Sequence, residues 1–207
     1  MKNSGSFDVD AFGVHFRLTA GCADAYATLD QYAFPWLRRM EAKAGRPDLD
    51  LSIDQAAGEF RLVAGGNLVD SASEPQGLVC ALIQVLDEAI VQRLTTLRAV
   101  HGGVVALRGR VLLFPGSSHA GKSALVTEFL RRGASYFSDE YALIDAEGYV
   151  HPYPRPLLVR NDGVAQRPLL ARAMNAPVGD AALPLGWIFA VAYRPGSGWS
   201  VNPMSQG

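Results

Sequence analysis

Residues 100–123 read VHGGVVALRGRVLLFPGSSHAGKS, and the first half of this stretch decides how the chain folds around the second half. Residues 104–107 and 111–114 are apolar runs, separated only by Arg108, Gly109 and Arg110. A parallel crossover needs a dozen or more connecting residues, so the two runs are predicted to form an antiparallel hairpin. The second strand of this hairpin leads directly into a loop that contains two glycines.

That loop, GSSHAGKS at residues 116–123, fits the pattern G-x-x-x-x-G-K-[ST] completely. Its glycines let backbone N–H groups turn inward to hold an anion, and the helix predicted over residues 122–132 directs its positive end at the same point. Lys122 is expected to contact phosphate oxygens, and the Ser123 hydroxyl is expected to bind Mg²⁺. Only three lysines occur in the chain, against sixteen arginines, and one of them occupies this position. The alternative is a glycine-rich turn that binds nothing.

An acidic pair follows in the stretch GASYFSDEYALIDAEGYVHPYP, residues 133–154. We predict a short strand near Tyr136, then Asp139 and Glu140, then a hairpin over residues 145–148. If that short strand pairs beside the loop strand, the two acids lie close to a bound phosphate. Adjacent residues at a strand end project to opposite sides, so one acid would face a metal and the other an incoming nucleophile. The alternative is a solvated acidic pair.

The first 97 residues carry secondary-structure signals but no motif with an evident chemical role. The predicted elements are a strand at 12–20, a helical pattern over 24–40 that Pro35 kinks or divides, paired strands at 49–53 and 59–65, and a helix over 75–97. We therefore predict an α/β protein with a mixed, α+β-like sheet. It would comprise an N-terminal α+β domain at residues 1–97 and a loop-bearing domain at residues 98–207.

Composition restricts the classes of function. The 207 residues are 49% hydrophobic and 19% charged, as in ordinary globular proteins. A net charge of −1 gives no basic field for nucleic acid or an anionic membrane. The start, MKNSGSFDVD, lacks the apolar run of a signal peptide, and Cys22 and Cys80 show no metal-type spacing. We expect a cytoplasmic protein with reduced cysteines, a disulfide between them being the alternative.

HGGVVALRGRVLLFPGSSHAGKS followed by RRGASYFSDEYALI resembles the catalytic domain of HPr kinase/phosphorylase and its relatives. The shared features are a His-Gly before a strand hairpin, the GxxxxGKS loop, a helix ending in Arg-Gly and an acidic pair after the next strand. The resemblance covers about residues 100–156 and extends distantly to phosphoenolpyruvate carboxykinase. It implies the P-loop core of these enzymes, preceded by a small variable domain. Ras-like proteins would instead surround the loop with a parallel sheet.

The resemblance implies an ATP- and Mg²⁺-dependent kinase that phosphorylates a hydroxyl, expected to be a serine of a protein or peptide. The residues it assigns to the nucleotide phosphates are Gly116, Ser117, Ser118, His119, Ala120, Gly121, Lys122 and Ser123. Lys122 would stabilise charge on the transferring phosphoryl group, and Ser123 would hold Mg²⁺. Asp139 matches a general base, Glu140 an acid on the metal side, and His101 a histidine that tunes the base. A strand-start histidine bonded to backbone is the alternative for His101.

Two departures from the family affect the expected substrate and the extent of the domain. The glycine-rich recognition segment of HPr kinase/phosphorylase is replaced by PRPLLVRNDGVAQRPLLARAM, so HPr itself is not the expected substrate. The sequence also stops where relatives continue into closing helices, so a shortened catalytic domain is expected. Arg155, Arg160 and Arg194 are candidate phosphate or substrate contacts, with solvated surface arginines as the alternative.

Three other functions stay open at this point. The first is a nucleotide-binding regulatory module that has lost its chemistry. The second is a phosphotransferase acting on a small metabolite, although the arginine-rich substrate motifs of the carboxykinases are missing. The third is a GTPase-like switch, which the absence of an N/TKxD guanine motif disfavours. The resemblance also implies a homo-oligomer, since hexamers occur in the family.

Overall fold

The computed structural model describes residues 4–41, 45–161, 165–194, 196, 198 and 200–203. Strands dominate, and helices are few. The helical segments in these ranges are α1 (Ala23–Tyr32), α2 (Val79–Arg93), α3 (Lys122–Arg131) and two short 3₁₀ helices, Pro75–Leu78 and Ala171–Met174. The predicted mixed α/β class, with mixed sheets, is confirmed at this level.

The first sheet is built from the N-terminal part of the chain. Its strands are β1 (Gly5–Ala11), β2 (Val14–Ala20), β3 (Arg38–Arg39), β4 (Leu49–Ala56), β5 (Glu59–Ala64) and β6 (Asn67–Ala72). They lie in the order β3-β1-β2-β4-β5-β6, with β2 and β4 parallel and the other neighbours antiparallel. Residues of β2 alternate between the core and the outer face, which is the pattern expected of a sheet with one covered side.

The strand predictions at 12–20, 49–53 and 59–65 are confirmed, and the helix predicted over 75–97 is present as a 3₁₀ turn followed by α2. The helical pattern over 24–40 is wrong beyond Tyr32, where α1 ends. Pro35 disfavours a helical conformation at the residue before it, so the chain turns and continues as β3. Strands β1 and β6 were not predicted.

The second sheet carries the loop. Its strands are β7 (Arg98–Leu107), β8 (Arg110–Pro115), β9 (Ser135–Ser138), β10 (Tyr141–Ile144), β11 (Tyr149–His151) and β14 (Leu183–Ile188). Between β11 and β14 the chain forms a separate hairpin of β12 (Leu157–Asn161) and β13 (Ala165–Leu169). The order is β10-β11-β14-β8-β7-β9, and β10 also pairs with β7, which closes five of the strands into a ring. Only the β8–β14 pairing of this sheet is parallel among the described strands.

The hairpin predicted around the loop strand is confirmed as β7 and β8, with Leu107 opposite Arg110. Arg108 and Gly109 form its turn with φ values of 52° and 75°, the left-handed geometry of a two-residue hairpin. The strand near Tyr136 is present but does not pair with the loop strand, the condition considered for placing the two acids. That strand, β9, pairs with β7, while β14 occupies the free edge of β8.

The two sheets are joined through a shared apolar core. The cluster on the first sheet contains residues of α1 and α2 and also Leu143 and Tyr153, which belong to the second half of the chain. The proposed boundary at residues 97 and 98 falls between α2 and β7. Helix α2 therefore contributes to the apolar core that the two sheets share.

Cys22 and Cys80 are free thiols. None of the helices in the described ranges has the length and apolarity needed to cross a membrane.

Candidate active site

The glycine-containing loop connects the end of β8 to the start of α3. Gly121 precedes the helix with a φ of 92°, a left-handed conformation that a side chain would strain. At the other end of the loop, a Cβ on Gly116 would lie 2.9 Å from the carbonyl oxygen of Val191 and 3.1 Å from the Cβ of Ala120. Both glycines are therefore required by the local backbone, one by its conformation and the other by close packing.

Lys122 lies across its own loop. Its Nζ donates to the carbonyl oxygens of Gly116 at 3.0 Å and Ser117 at 2.9 Å, and the residue is only 8% exposed. The ammonium group is thus held inside the turn by weak backbone acceptors rather than by a carboxylate. An anion that entered the loop would offer it a stronger acceptor.

Asp139 reaches the start of α3 from the end of β9. Its Oδ2 accepts a hydrogen bond from Ser123 Oγ at 3.0 Å, and the residue is 3% exposed. Its Oδ1 is buried and has no hydrogen-bond partner in the part of the chain that the structure describes. Burial raises the pKa of Asp139 to about 6, although Arg155 and the Ser123 hydroxyl favour the ionised form. The structure thus brings together Ser123 and Asp139, which are sixteen positions apart in the chain.

Glu140 points to the other side of the strand end. Its Oε1 lies 2.9 Å from His101 Nε2, and its Oε2 accepts from Arg155 Nη2 at 3.0 Å. The contact between Glu140 and His101 follows from the pairing of β10 with β7, which places Tyr141 opposite His101. His101 therefore contacts the second acid of the pair, whereas the family resemblance places such a histidine near the first.

Arg155 is the centre of a cluster formed with the buried Asp87 and Tyr153 and the half-buried Glu140, called here the Arg155 cluster. Arg155 is 1% exposed, and its Nε lies 3.1 Å from Asp87 Oδ2, close enough for an ion pair but not aligned as a hydrogen bond. The Tyr153 hydroxyl donates to Asp87 Oδ1. Burial raises the pKa of Asp87 to about 6 in spite of the arginine. The alternative of a solvated surface arginine is wrong for Arg155.

Asp87 and Tyr153 are the members of this cluster that sequence reasoning missed. Asp87 lies on α2 among buried apolar neighbours, and a carboxylate at a buried helical position is uncommon unless it is paired. Asp87 lies four residues after Ile83 and three before Ile90, so the sequence already placed this carboxylate on the apolar face of the helix. Nothing local in the sequence indicated that its partner would be Arg155.

Two cavities adjoin at Glu140. The first, called the loop pocket, has a volume of about 330 Å³. The predicted site residues that line it are His101, Ser118, His119, Gly121, Lys122, Ser123, Asp139 and Glu140. Gly116, Ser117 and Ala120 complete the same loop. The second, called the helix cleft, has a volume of about 450 Å³ and lies against α2.

The other two candidate arginines differ in position. Arg160 lines the loop pocket, and its Nη1 lies 2.9 Å from His119 Nε2. Arg194 is exposed and directly follows Tyr193, whose N–H donates to the carbonyl oxygen of Ala120 at 3.1 Å. Arg160 is therefore placed at the pocket, and Arg194 follows a segment that runs along the loop.

No group of three or more His, Cys, Asp or Glu side chains in the described ranges is arranged to hold a metal ion. No protein-family model and no curated protein matches the sequence.

Proposed function

We propose that the chain is an ATP- and Mg²⁺-dependent kinase that transfers the γ-phosphoryl group to a hydroxyl, a serine of a protein or peptide. One observation carries this proposal. The Ser123 hydroxyl and the buried Asp139 carboxylate meet at the start of α3, where the complete GxxxxGKS loop ends, and one oxygen of Asp139 has no hydrogen-bond partner among the described residues. Buried polar atoms are normally paired, so an unpaired one beside such a loop is typical of a ligand site.

The proposal includes a P-loop core of the kind found in HPr kinase and phosphoenolpyruvate carboxykinase. Support comes from the antiparallel β7–β8 hairpin before the loop, since doubly wound P-loop proteins surround their loop with parallel strands. The parallel β8–β14 pairing makes the sheet mixed rather than wholly antiparallel.

In this proposal the nucleotide phosphates bind the loop at residues 116–123. Backbone N–H groups at the N-terminus of α3 face the phosphates, and Lys122 exchanges its two carbonyl acceptors for phosphate oxygens. Catalysis then consists mainly of positioning and charge neutralisation.

The residues near Ser123 fit a magnesium ion. Magnesium is commonly held by one or two protein oxygens together with substrate phosphates and water, so three or more protein ligands are not needed. Ser123 Oγ would hold it together with phosphate oxygens and water, and the bound ion would supply neutralisation of charge on the phosphate oxygens. Glu140 is a weaker candidate ligand than expected, because both its oxygens already contact His101 and Arg155.

Asp139 is also the proposed general base. Its unpaired Oδ1 could accept the proton of an acceptor hydroxyl, and a pKa near 6 allows the ionised form at neutral pH. Glu140, fixed between His101 and Arg155, is the proposed positioning residue at the border of the two cavities.

A second candidate is a nucleotide-binding module without transfer. The observation that favours it is the engagement of both Glu140 oxygens, which leaves that acid no free group for chemistry. ATP that binds but is never consumed with any hydroxyl acceptor would support this candidate.

The experiment that tests the proposed function is calorimetric titration of the chain with Mg-ATP, using wild type and Lys122→Ala. We expect micromolar affinity for wild type and at least a tenfold loss in the variant, because a charge-assisted bond to phosphate contributes about 1.5–3 kcal/mol.

Arg132→Ala is the matched control for this titration. Arg132 also carries a positive charge near α3, but it lies just past the end of the helix, is exposed and pairs with Glu128. Its removal should leave the affinity for ATP unchanged. Equal affinities for wild type and Lys122→Ala would contradict the phosphate site.

A further inference from the structure

We infer that the helix cleft binds the phosphoryl acceptor, and that the acceptor carries a cationic group close to its hydroxyl. This names the substrate class of the proposed kinase and so rests on the proposed function. The first observation is continuity. Three residues line both the loop pocket and the helix cleft: Glu140, Leu158 and Gln166. A molecule in the helix cleft therefore lies next to the site where the phosphates would bind.

The second observation is the charge of the cleft. Its lining contains the carboxylates of Asp87, Glu88 and Glu140 and a single guanidinium, that of Arg155. Arg155 already pairs with two of these acids, whereas Glu88 is exposed and accepts from Gln92 Nε2 at 2.9 Å. Within the described residues no cation forms an ion pair with Glu88. The cleft thus has an excess of negative charge that a ligand cation would offset.

The two cavities differ in how their cations are engaged. The loop pocket contains Lys122 and Arg160 as well as the carboxylates of Asp139 and Glu140, and neither cation forms an ion pair with a carboxylate among the described residues, so both suit an anionic nucleotide. In the helix cleft the guanidinium of Arg155 is already paired with carboxylates, and Glu88 has no ion-pair partner within the described residues, so the cleft would repel a second anion. A substrate with a cationic end and a hydroxyl would therefore enter with the cation against α2 and the hydroxyl toward Glu140 and Asp139. This arrangement assigns one cavity to each substrate.

The size and the other lining groups of the cleft fit a basic side chain. A volume of about 450 Å³ lies in the range of cavities that hold small ligands. Val91 and Leu158 provide apolar contact for an aliphatic stem, while Gln84, Gln92 and Gln166 carry amides that both donate and accept. Such amides could bond a peptide backbone. The shared chemistry is a hydroxyl near an amine or guanidinium, from either a basic serine peptide or a free amino alcohol.

Peptide binding, measured without turnover, tests this inference. Fluorescein-labelled serine peptides flanked by arginine, glutamine or glutamate are titrated with the full chain in Mg-ADP, and anisotropy is recorded. We expect the arginine peptide to bind at least tenfold more tightly than the glutamate peptide. Glu88→Gln should weaken binding of the arginine peptide about threefold to tenfold and leave the glutamine peptide unchanged.

Glu59→Gln is the matched control, since Glu59 is an exposed glutamate on β5 and does not line the cleft. It should bind every peptide as wild type does. Ethanolamine, added as a competitor, distinguishes the two sources of the cation. Ethanolamine binding is detected either as displacement of the peptide or, when no peptide binds, by calorimetry. If Glu88→Gln weakens this binding, the cation comes from a free amino alcohol and the inference stands.

Failure of the inference and failure of the proposed function are separable. Equal affinity for all three peptides, no binding of ethanolamine and no effect of Glu88→Gln would overturn the cleft assignment, even if radiolabelled phosphate were transferred from ATP to a peptide. Selective binding of cationic peptides without any such transfer would uphold the cleft as a cation site and overturn the kinase function.

Discussion

The loop pocket and the Arg155 cluster are neighbours that share Glu140, yet their polar groups are satisfied in different ways. In the loop pocket, and among the described residues, Lys122 bonds to carbonyl oxygens of its own loop, and one oxygen of Asp139 has no hydrogen-bond partner. In the cluster, the guanidinium of Arg155 contacts two carboxylates and a backbone carbonyl. This difference is consistent with the proposal that the loop pocket accommodates a ligand and that the cluster mainly stabilises the fold.

This comparison separates two kinds of mutational effect. Substitutions in the Arg155 cluster should lower the free energy of unfolding, because they leave buried charges without partners. Substitutions in the loop pocket should change binding or transfer and have a smaller effect on stability than those in the cluster, because groups there lack strong partners in the folded chain.

Arg155→Met should have the largest effect on stability. It removes the cation from a site that is 1% exposed and leaves Asp87 and Glu140 facing each other across an apolar side chain. Breaking a buried ion pair by removing one partner costs about 3–5 kcal/mol. Chemical denaturation at pH 7 measures this loss.

Arg132→Met is the control for this measurement. Its ion pair with Glu128 is exposed, so the change should cost at most about 1 kcal/mol. A loss below 1 kcal/mol for Arg155→Met as well would contradict the structural role of the Arg155 cluster.

Asp139→Asn should separate transfer from binding. The amide keeps the size of the side chain and can still accept from Ser123, but it cannot take a proton from an acceptor hydroxyl. We expect a 10²- to 10⁴-fold loss of phosphoryl transfer, with ATP affinity changed only a few-fold. Transfer is measured with radiolabelled ATP and binding by calorimetry. Equal loss of both quantities would count against the assignment of Asp139 as base.

The sequence predicted those parts of the site that depend on local sequence signals. The loop, the β7–β8 hairpin, α3 and the acidic pair each lie within a few residues of their own signals. The order of strands in the sheet has no such local signal. Strand β14, which pairs with β8, lies more than 60 residues after it in the chain. Strand β6 lacks buried alternation and therefore gave no signal, whereas Phe7 and Val9 of β1 offered a short one.

The Arg155 cluster shows why the long-range contacts of the site could not be predicted from the sequence. Asp87 and Tyr153 are 66 positions apart, and their contact depends on how α2 lies against the second sheet. The unusual feature of Asp87, a carboxylate on an apolar helix face, was visible in the sequence, but its partner was not. For the same reason the proposed role of Glu140 differs from the metal-side role that the sequence suggested. Its contact with Arg155 is set by tertiary packing.

The pH dependence of stability gives a smaller and more specific test of the loop pocket. Burial raises the pKa of Asp139 from 3.8 to about 6, so between pH 4 and 6 the folded chain keeps a proton that the unfolded chain has released. The folded state then binds more protons, and its stability falls as the pH rises through this window. Asp87 contributes in the same direction, since burial also raises its pKa to about 6.

Asp139→Asn removes one of these two contributions and leaves that of Asp87. The free energy of unfolding of wild type should therefore decrease more steeply with pH than that of the variant, by up to about 1.4 kcal/mol per pH unit between pH 4 and 6. Urea denaturation at several pH values in this range measures the difference. Parallel curves for the two proteins would mean that folding does not raise the pKa of Asp139, and the proton uptake expected between pH 4 and 6 would then be wrong.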